Sequence, residues 1–213
     1  MLTVHHLNNS RSQRVLWLLE ELDLDYDIKH YERDPKTRRA PPSLKAVHPL
    51  GRAPVITYGD KTIAETGAII EYVIREHGNG KLIPKAGTEA FEEYVQFLHY
   101  AEGSVMFPML LALYTGLLGD AAAPIQPIIA KEMKVHFDFI EYHLTRKNYF
   151  AGEELSGADI QMVFPLESAK KHGRLKGYDA CIDFVNRMQA RPAYLRALKR
   201  GGHYDYGPAI DNG

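Results

Sequence analysis

Two short stretches carry residues whose types and spacing could do chemistry. In "LNNSRSQRVLWLLEEL", residues 7–22, two asparagines and two serines stand just before an apolar stripe of Val15, Leu18, Leu19 and Leu22. One such residue is enough to cap a helix, so a second hydroxyl could donate a hydrogen bond to a ligand. In "IAETGAII", Glu65 ends a β-type run and Thr66 opens a helical one. The plainer reading of Thr66 is a cap. But a helix start also presents unsatisfied N–H groups and the positive end of a dipole, which attract a carboxylate. A carboxylate beside an ammonium is an α-amino acid. The Thr66 hydroxyl and N–H suit the first group, and Glu65 the second.

The elements that must position these residues can be read from periodicity. Residues 2–7 read as a short strand and residues 12–22 as a helix. "DYDIKHYE" alternates like a second strand, and "PPSLKAVHP" is a proline-bounded helical turn or loop. "APVITYGDKTIAE" reads as strand, turn and strand, with the turn at Gly59-Asp60. A helix over residues 67–76 carries Ile69, Ile70, Val73 and Ile74 on one face. The order β-α-β-(α)-β-β-α implies a parallel first pair with a right-handed crossover and a closing hairpin. "HGNGKLIPKAGTEA" has linker composition. Strand signals then stop. Helical spacing marks residues 89–106 and 124–145, and shorter helices follow near 158–169, 180–189 and 192–199. The division expected is an α/β domain over residues 1–78, a linker over 79–88 and an all-helical domain over 89–213.

Composition excludes several classes. The chain has 213 residues, 45% of them hydrophobic and 25% charged, with a formal net charge of −1. This is ordinary globular composition, without the basic excess that suggests nucleic acid. No continuous apolar run approaches the roughly 18 residues of a membrane span, and the N-terminus does not look like a signal peptide. Cys181 is the only cysteine, so no internal disulfide can form. A cytoplasmic setting is expected. Ten histidines are present, but His5 and His6 are expected on opposite faces of a strand, and His99, His136 and His143 lack ligand spacing. No metal is expected. Phosphate-loop, dinucleotide and nucleophile-elbow motifs are missing.

A small α/β domain, a linker and a helical domain of this total length resemble the cytosolic glutathione transferases, which join a thioredoxin-like domain to an all-α one. Four stretches carry the resemblance: "HPLGRAPVI", "IAETGAII", "FAGEELSGADI" and "ARPAYLRAL". The first is similar to the family's Asn-Pro-x-Gly-x-x-Pro, with His48 where Asn is usual. It implies a cis peptide before Pro54, whose neighbouring backbone groups, those of Ala53, pair with glutathione as another strand would. The second is similar to the family's γ-glutamyl site, with Thr66 in place of the usual Ser after Glu65. In the third, Ser156 and Asp159 form a capping-box pattern, read as structural rather than catalytic.

The resemblance also implies a mechanism. A free thiol has a pKa of about 8.5, and a helix N-terminus or a hydrogen bond to the anion lowers it. Serine-type members aim one hydroxyl at the glutathione sulfur from the loop after the first strand. Ser10, four residues before Arg14, is the first candidate, with Ser12 and Asn9 as alternatives. A tyrosine mechanism is disfavoured because residues 1–25 hold no Tyr. Arg52 could meet the glycine carboxylate, and Glu102 could reach a dimer partner's γ-glutamyl amine. An apolar acceptor site would draw on Tyr100, Met106, Phe107 and Tyr114, and the tail "GGHYDYGPAIDNG" could cover it. The implied activity is conjugation of glutathione to apolar electrophiles by a homodimer, with hydroperoxide reduction also open. A glutathione-dependent disulfide reductase or isomerase, and a non-catalytic binding or interaction module, are the alternatives.

Overall fold

Strand β1 (Leu2–Leu7) is buried on both faces, including His5 and His6. Its place in the sheet explains this: the computed structural model, which describes residues 1–37 and 39–208, has a four-stranded sheet in the order β2-β1-β3-β4. Helix α1 (Ser12–Glu21) connects β1 to the parallel strand β2 (Tyr26–Tyr31). It buries Val15 through Leu19 completely, so the whole helix is wrapped by the unit rather than laid on its surface. A proline-bounded 3₁₀ turn (Pro42–Ala46) leads to β3 (Val55–Tyr58), antiparallel to β1. β3 and β4 (Lys61–Ala64) form a hairpin turned at Gly59, whose φ of +56° only glycine adopts readily. Helix α2 (Thr66–His77) follows.

Numbering the remaining helices in chain order, the second unit starts with α3 (Glu89–Tyr100), capped by Thr88, which accepts the Phe91 N–H at 3.3 Å. The helical run does not stop near residue 106 as periodicity suggests. A π turn (Ala101–Val105) leads into α4 (Met106–Thr115), then a 3₁₀ segment (Gly116–Ala122). Pro108 does not break it: it falls just after the π turn, where the regular ladder of backbone bonds is already interrupted. Within Glu89–Ala122 one 18-residue window has a mean hydropathy of 1.5, enough by length and composition alone to cross a membrane, and 28% of it is buried. That window is not evident as a continuous apolar run, because polar residues interrupt it. Helices α5 (Gln126–Leu144), α6 (Gly157–Lys171) and α7 (Asp179–Gln189) complete the set. Phe97, Phe150 and Phe184 form the aromatic centre, with ring centroids 4.7 and 4.9 Å apart in sequence. Glu141 accepts the Ala180 and Cys181 N–H groups, both at 2.9 Å, at the start of α7.

Packing groups Met1–Ile83 with the described residues from Asn186, the last turn of α7 included, and Pro84–Val185 as the other unit. The last helix, α8 (Pro192–Gly201), thus belongs with α1. Trp17 meets Tyr194 edge-on at 5.4 Å, and Gly201 lies so close to α1 that a Cβ there would sit 2.7 Å from Gln13 Oε1. Arg191 grips Glu21 through two hydrogen bonds of 2.6 and 3.0 Å. Buried Glu20 accepts from Arg196 at 2.8 Å, Tyr26 at 2.8 Å and Arg200 at 3.2 Å. Burial pushes the Glu20 carboxyl up, but the hydrogen bonds from Arg196, Tyr26 and Arg200 outweigh it and hold it below its ordinary value. A depressed carboxyl stabilises the fold above the unfolded-state pKa and loses that contribution as pH falls through the folded one. Glu20→Ala is expected to lower stability by about 1–3 kcal/mol in urea unfolding at pH 7, since both arginines are half exposed. The deficit should shrink below about pH 4.

Candidate functional site

The strand register gathers the chemistry-bearing residues at one end of the sheet. β1 and β3 are antiparallel with His5 opposite Val55, so the loop leaving β1 lies beside the residues entering β3. Those are Ser10 on one side and Pro54 on the other. β3 and β4 pair with Val55 opposite Ala64, which brings Glu65 and Thr66 to the same end. The Ala53–Pro54 peptide is cis. Pro54 is buried, Ala53 half-buried and Arg52 exposed.

Around Ser10 the loop is tightly determined. Asn9 sits at φ +49°, a region that Asn tolerates better than most residues. Its side-chain amide is turned to Asp205: Nδ2 donates to Asp205 Oδ2 at 2.7 Å, and Oδ1 accepts the Asp205 N–H at 2.8 Å. Arg33 holds the same loop through the Asn8 carbonyl at 3.2 Å and the Asn9 carbonyl at 3.1 Å. Ser12 is fully buried. Its Oγ lies 2.8 Å from His6 Nδ1, 2.7 Å from Ser10 Oγ and 3.2 Å from both the N–H and the carbonyl of Leu7. A hydroxyl has one proton and two lone pairs, so these four neighbours more than fill it. Ser10 Oγ has two partners, Ser12 Oγ and the Ser12 N–H at 3.2 Å. Ser12 Oγ is filled, while Ser10 Oγ keeps one further hydrogen-bonding position at the positive end of α1.

At the other candidate position the expectation for Thr66 needs correcting. Thr66 is the first residue of α2, not its cap. Glu65 takes the capping position with φ +70° and ψ 122°, and makes no side-chain capping bond. Such a backbone is strained for a non-glycine residue and is characteristic of functional sites. The Thr66 hydroxyl accepts from the buried Arg14 guanidinium at 3.2 Å. Because a guanidinium only donates, the Thr66 proton is left to point elsewhere, which suits an anion. Glu65 itself is exposed.

The N-terminal domain model of glutathione S-transferases matches residues 1–75, and their C-terminal domain model matches residues 122–192. Glutathione S-transferase 1 of Saccharomyces cerevisiae is 32% identical over 94% of this chain and 95% of its own length. Glutathione S-transferase 3 of Schizosaccharomyces pombe is 34% identical over 94% and 88%. The chain belongs to the glutathione S-transferase family. A crystal structure of a glutathione S-transferase from Actinobacillus pleuropneumoniae superposes with a TM-score of 0.89 at 34% identity, covering 100% of this chain and 98% of that one. This glutathione S-transferase is therefore an enzyme with a thioredoxin-like domain and a helical domain.

In the second unit of this transferase the structure does not bring the four expected acceptor residues together in one role. Met106 is buried in the core. The Tyr100 hydroxyl pairs with His136 Nδ1 at 2.7 Å, and burial pushes its pKa up to about 12. Phe107 and Tyr114, seven residues apart on α4, are exposed. Glu102 lies half-buried in the π turn, a departure from α-helical geometry that recurs at functional sites. Ser156 and Asp159 form a capping box at the start of α6. Among the described residues no group of His, Cys, Asp or Glu could hold a metal ion. The tail turns back to the first unit through Asp205 and through the Tyr206 carbonyl, which accepts from Gln189 at 2.9 Å; residues 209–213 lie outside the described part.

Sequence reasoning passed over three residues. His6 is one of a strand pair whose facing was read but whose partners were not. Arg14 was noted only for its spacing from Ser10. Asp205 meets Asn9 across 196 residues, and no local signal announces it.

Proposed function

We propose that this transferase binds glutathione along the sheet end described above and conjugates it, as a thiolate, to apolar electrophiles. Ser10 donates a hydrogen bond to the sulfur, helped by the positive end of α1. Backbone groups of Ala53, beside the cis peptide to Pro54, pair with the cysteinyl unit in strand fashion. Thr66 and the N-terminus of α2 take the γ-glutamyl carboxylate, and Glu65 orients its ammonium. Arg52 meets the glycine carboxylate. In a homodimer Glu102 reaches the partner's γ-glutamyl end. The helical unit supplies the acceptor site, for which exposed Phe107 and Tyr114 are better placed than core Met106 or hydrogen-bonded Tyr100.

The convergence of Ser10, Pro54 and Thr66 at one sheet end carries this reading. A non-catalytic interaction module has no reason to keep a hydroxyl with spare capacity beside a strained helix start. A dithiol reductase mechanism lacks its second sulfur, since Cys181 is the only cysteine, and it is buried with its thiol pushed up by desolvation and by Glu141. The test is an ultraviolet difference titration of bound glutathione together with turnover of an aryl halide. The bound thiol is expected to ionise about 1–2 units below the free value of about 8.5, and thioether product should form. Binding without a thiolate band would remove the proposed mechanism, and absence of binding would favour the module.

A further inference from the structure

The hydrogen bonds behind Ser10 form a chain with a direction. The His6 ring makes a hydrogen bond to the Gly201 backbone, and because Nδ1 faces Ser12 Oγ at 2.8 Å, Nε2 is the nitrogen left for it. A carbonyl only accepts, so Nε2 carries the ring proton and Nδ1 is an acceptor. Burial, with the nearby His30 as the next contribution, pushes the imidazole down to about 4, so the ring is neutral at neutral pH. Of the two acceptors within reach of the Ser12 proton, Nδ1 at 2.8 Å lies nearer than the Leu7 carbonyl at 3.2 Å and takes it. One Ser12 lone pair already accepts the Leu7 N–H at 3.2 Å. The remaining lone pair can only accept from Ser10, 2.7 Å away. The resting chain therefore runs from Ser10 to Ser12 to His6, with the Ser10 proton turned inward.

We infer that His6 is a positioning residue for Ser10, acting through Ser12: by taking the Ser12 proton it holds the Ser10 proton inward and restrains thiolate formation on bound glutathione. The inference rests on the proposed function, since it concerns the same sulfur. When Ser10 swings its proton to the thiolate, Ser10 Oγ and Ser12 Oγ are left with no proton between them. The alternative, in which Ser12 turns to Ser10, strands a buried Nδ1 without a donor. Either way one neutral hydrogen bond is lost as the charged one forms. His6 is not the sink for the thiol proton, because its ring is far too weak a base. The restraint has a chemical use: a thiolate loses nucleophilicity as its pKa falls, and attack is best when that pKa lies near the ambient pH.

The sign of the effect separates this from a merely structural role. With His6→Leu, the only acceptor competing for the Ser12 proton is the Leu7 carbonyl at 3.2 Å, so Ser12 can donate to Ser10 at 2.7 Å and Ser10 to sulfur. The pKa of bound glutathione, read from the ultraviolet thiolate band, is expected to fall by about half to one unit relative to wild type, as loss of one neutral hydrogen bond implies. Ser12→Ala removes the inward acceptor and should move the value the same way, giving a second route if His6→Leu folds poorly. If the chain only held Ser10 in place, both variants would misplace the donor and raise the value. A rise in either variant, or no change in both, overturns the inference. A wild-type protein that binds glutathione without any thiolate band would instead overturn the proposed function itself, so the two failures are read from different samples.

Discussion

Replacing Asp159 with alanine is expected to destabilise the helical unit by about 3 kcal/mol, large against the 5–15 kcal/mol typical of a whole fold. The carboxylate is fully buried. One oxygen accepts the Phe150 N–H at 2.8 Å, and the other accepts the Ser156 N–H and the Ser156 hydroxyl, each at 2.8 Å. Two buried backbone donors would lose their acceptor, at about 1–3 kcal/mol each. Relief from burying a charge offsets part of that. Asp159→Asn should fall between, because its amide oxygen can serve one donor while its NH₂ group faces the other. Burial pushes the Asp159 carboxyl up to about 6, against the pull of the hydrogen bonds from Phe150 and Ser156. The folded state thus binds a proton between about pH 4 and pH 6 that the unfolded state has lost, so this group stabilises the fold less as pH rises through that window. The advantage of wild type over Asp159→Asn should widen when pH is lowered from 7 to about 4.5. Urea midpoints at the two pH values decide it, and an Ala variant within about 0.5 kcal/mol of wild type would deny Asp159 its structural role.

Much of this architecture was legible because it is local. The β-α-β order, the hairpin turn at Gly59 and the box of Ser156 and Asp159 each follow from residues a few positions apart, where steric and hydrogen-bonding rules act directly. The cis peptide at Pro54 was legible from a motif, not from propensity. What escaped was long-range or geometric. The amphipathic pattern of "ARPAYLRAL" announces a helix with an apolar face but not which unit it joins. Arg191, Arg196 and Arg200 find their acids in α1 at separations of 170–180 residues. The helical run past residue 106 escaped because Gly103, Pro108 and Gly116 look like breaks, while the chain absorbs them as a π turn, a first-turn proline and a 3₁₀ start. At the site, spacing could not rank Ser10, Ser12 and Asn9. Partner counting separates them: Asn9 has its amide turned to Asp205, Ser12 Oγ has four neighbours and Ser10 Oγ two.

Ser10→Ala is the substitution with the largest expected effect on catalysis. A hydrogen bond to an ionised group contributes about 1.5–3 kcal/mol, so its loss should raise the pKa of bound glutathione by about 1–2 units. Conjugation at pH 7 would then fall by about 8- to 25-fold in kcat/KM, the ratio of the thiolate fractions. The deficit should close as pH rises past the free-thiol value of about 8.5, because both proteins then hold a thiolate without help. That pH dependence is the discriminating feature, since a misfolded or poorly binding variant stays slow at every pH. The substitution also removes the acceptor of the Ser12 N–H, a cap-like bond whose loss costs about 1 kcal/mol, so the assay belongs well below the unfolding temperature. Glutathione affinity at pH 6, where the thiol is protonated, should stay within about 3-fold of wild type. A deficit independent of pH, or activity at pH 7 equal to wild type, would show that the sulfur takes its hydrogen bond from a group other than Ser10.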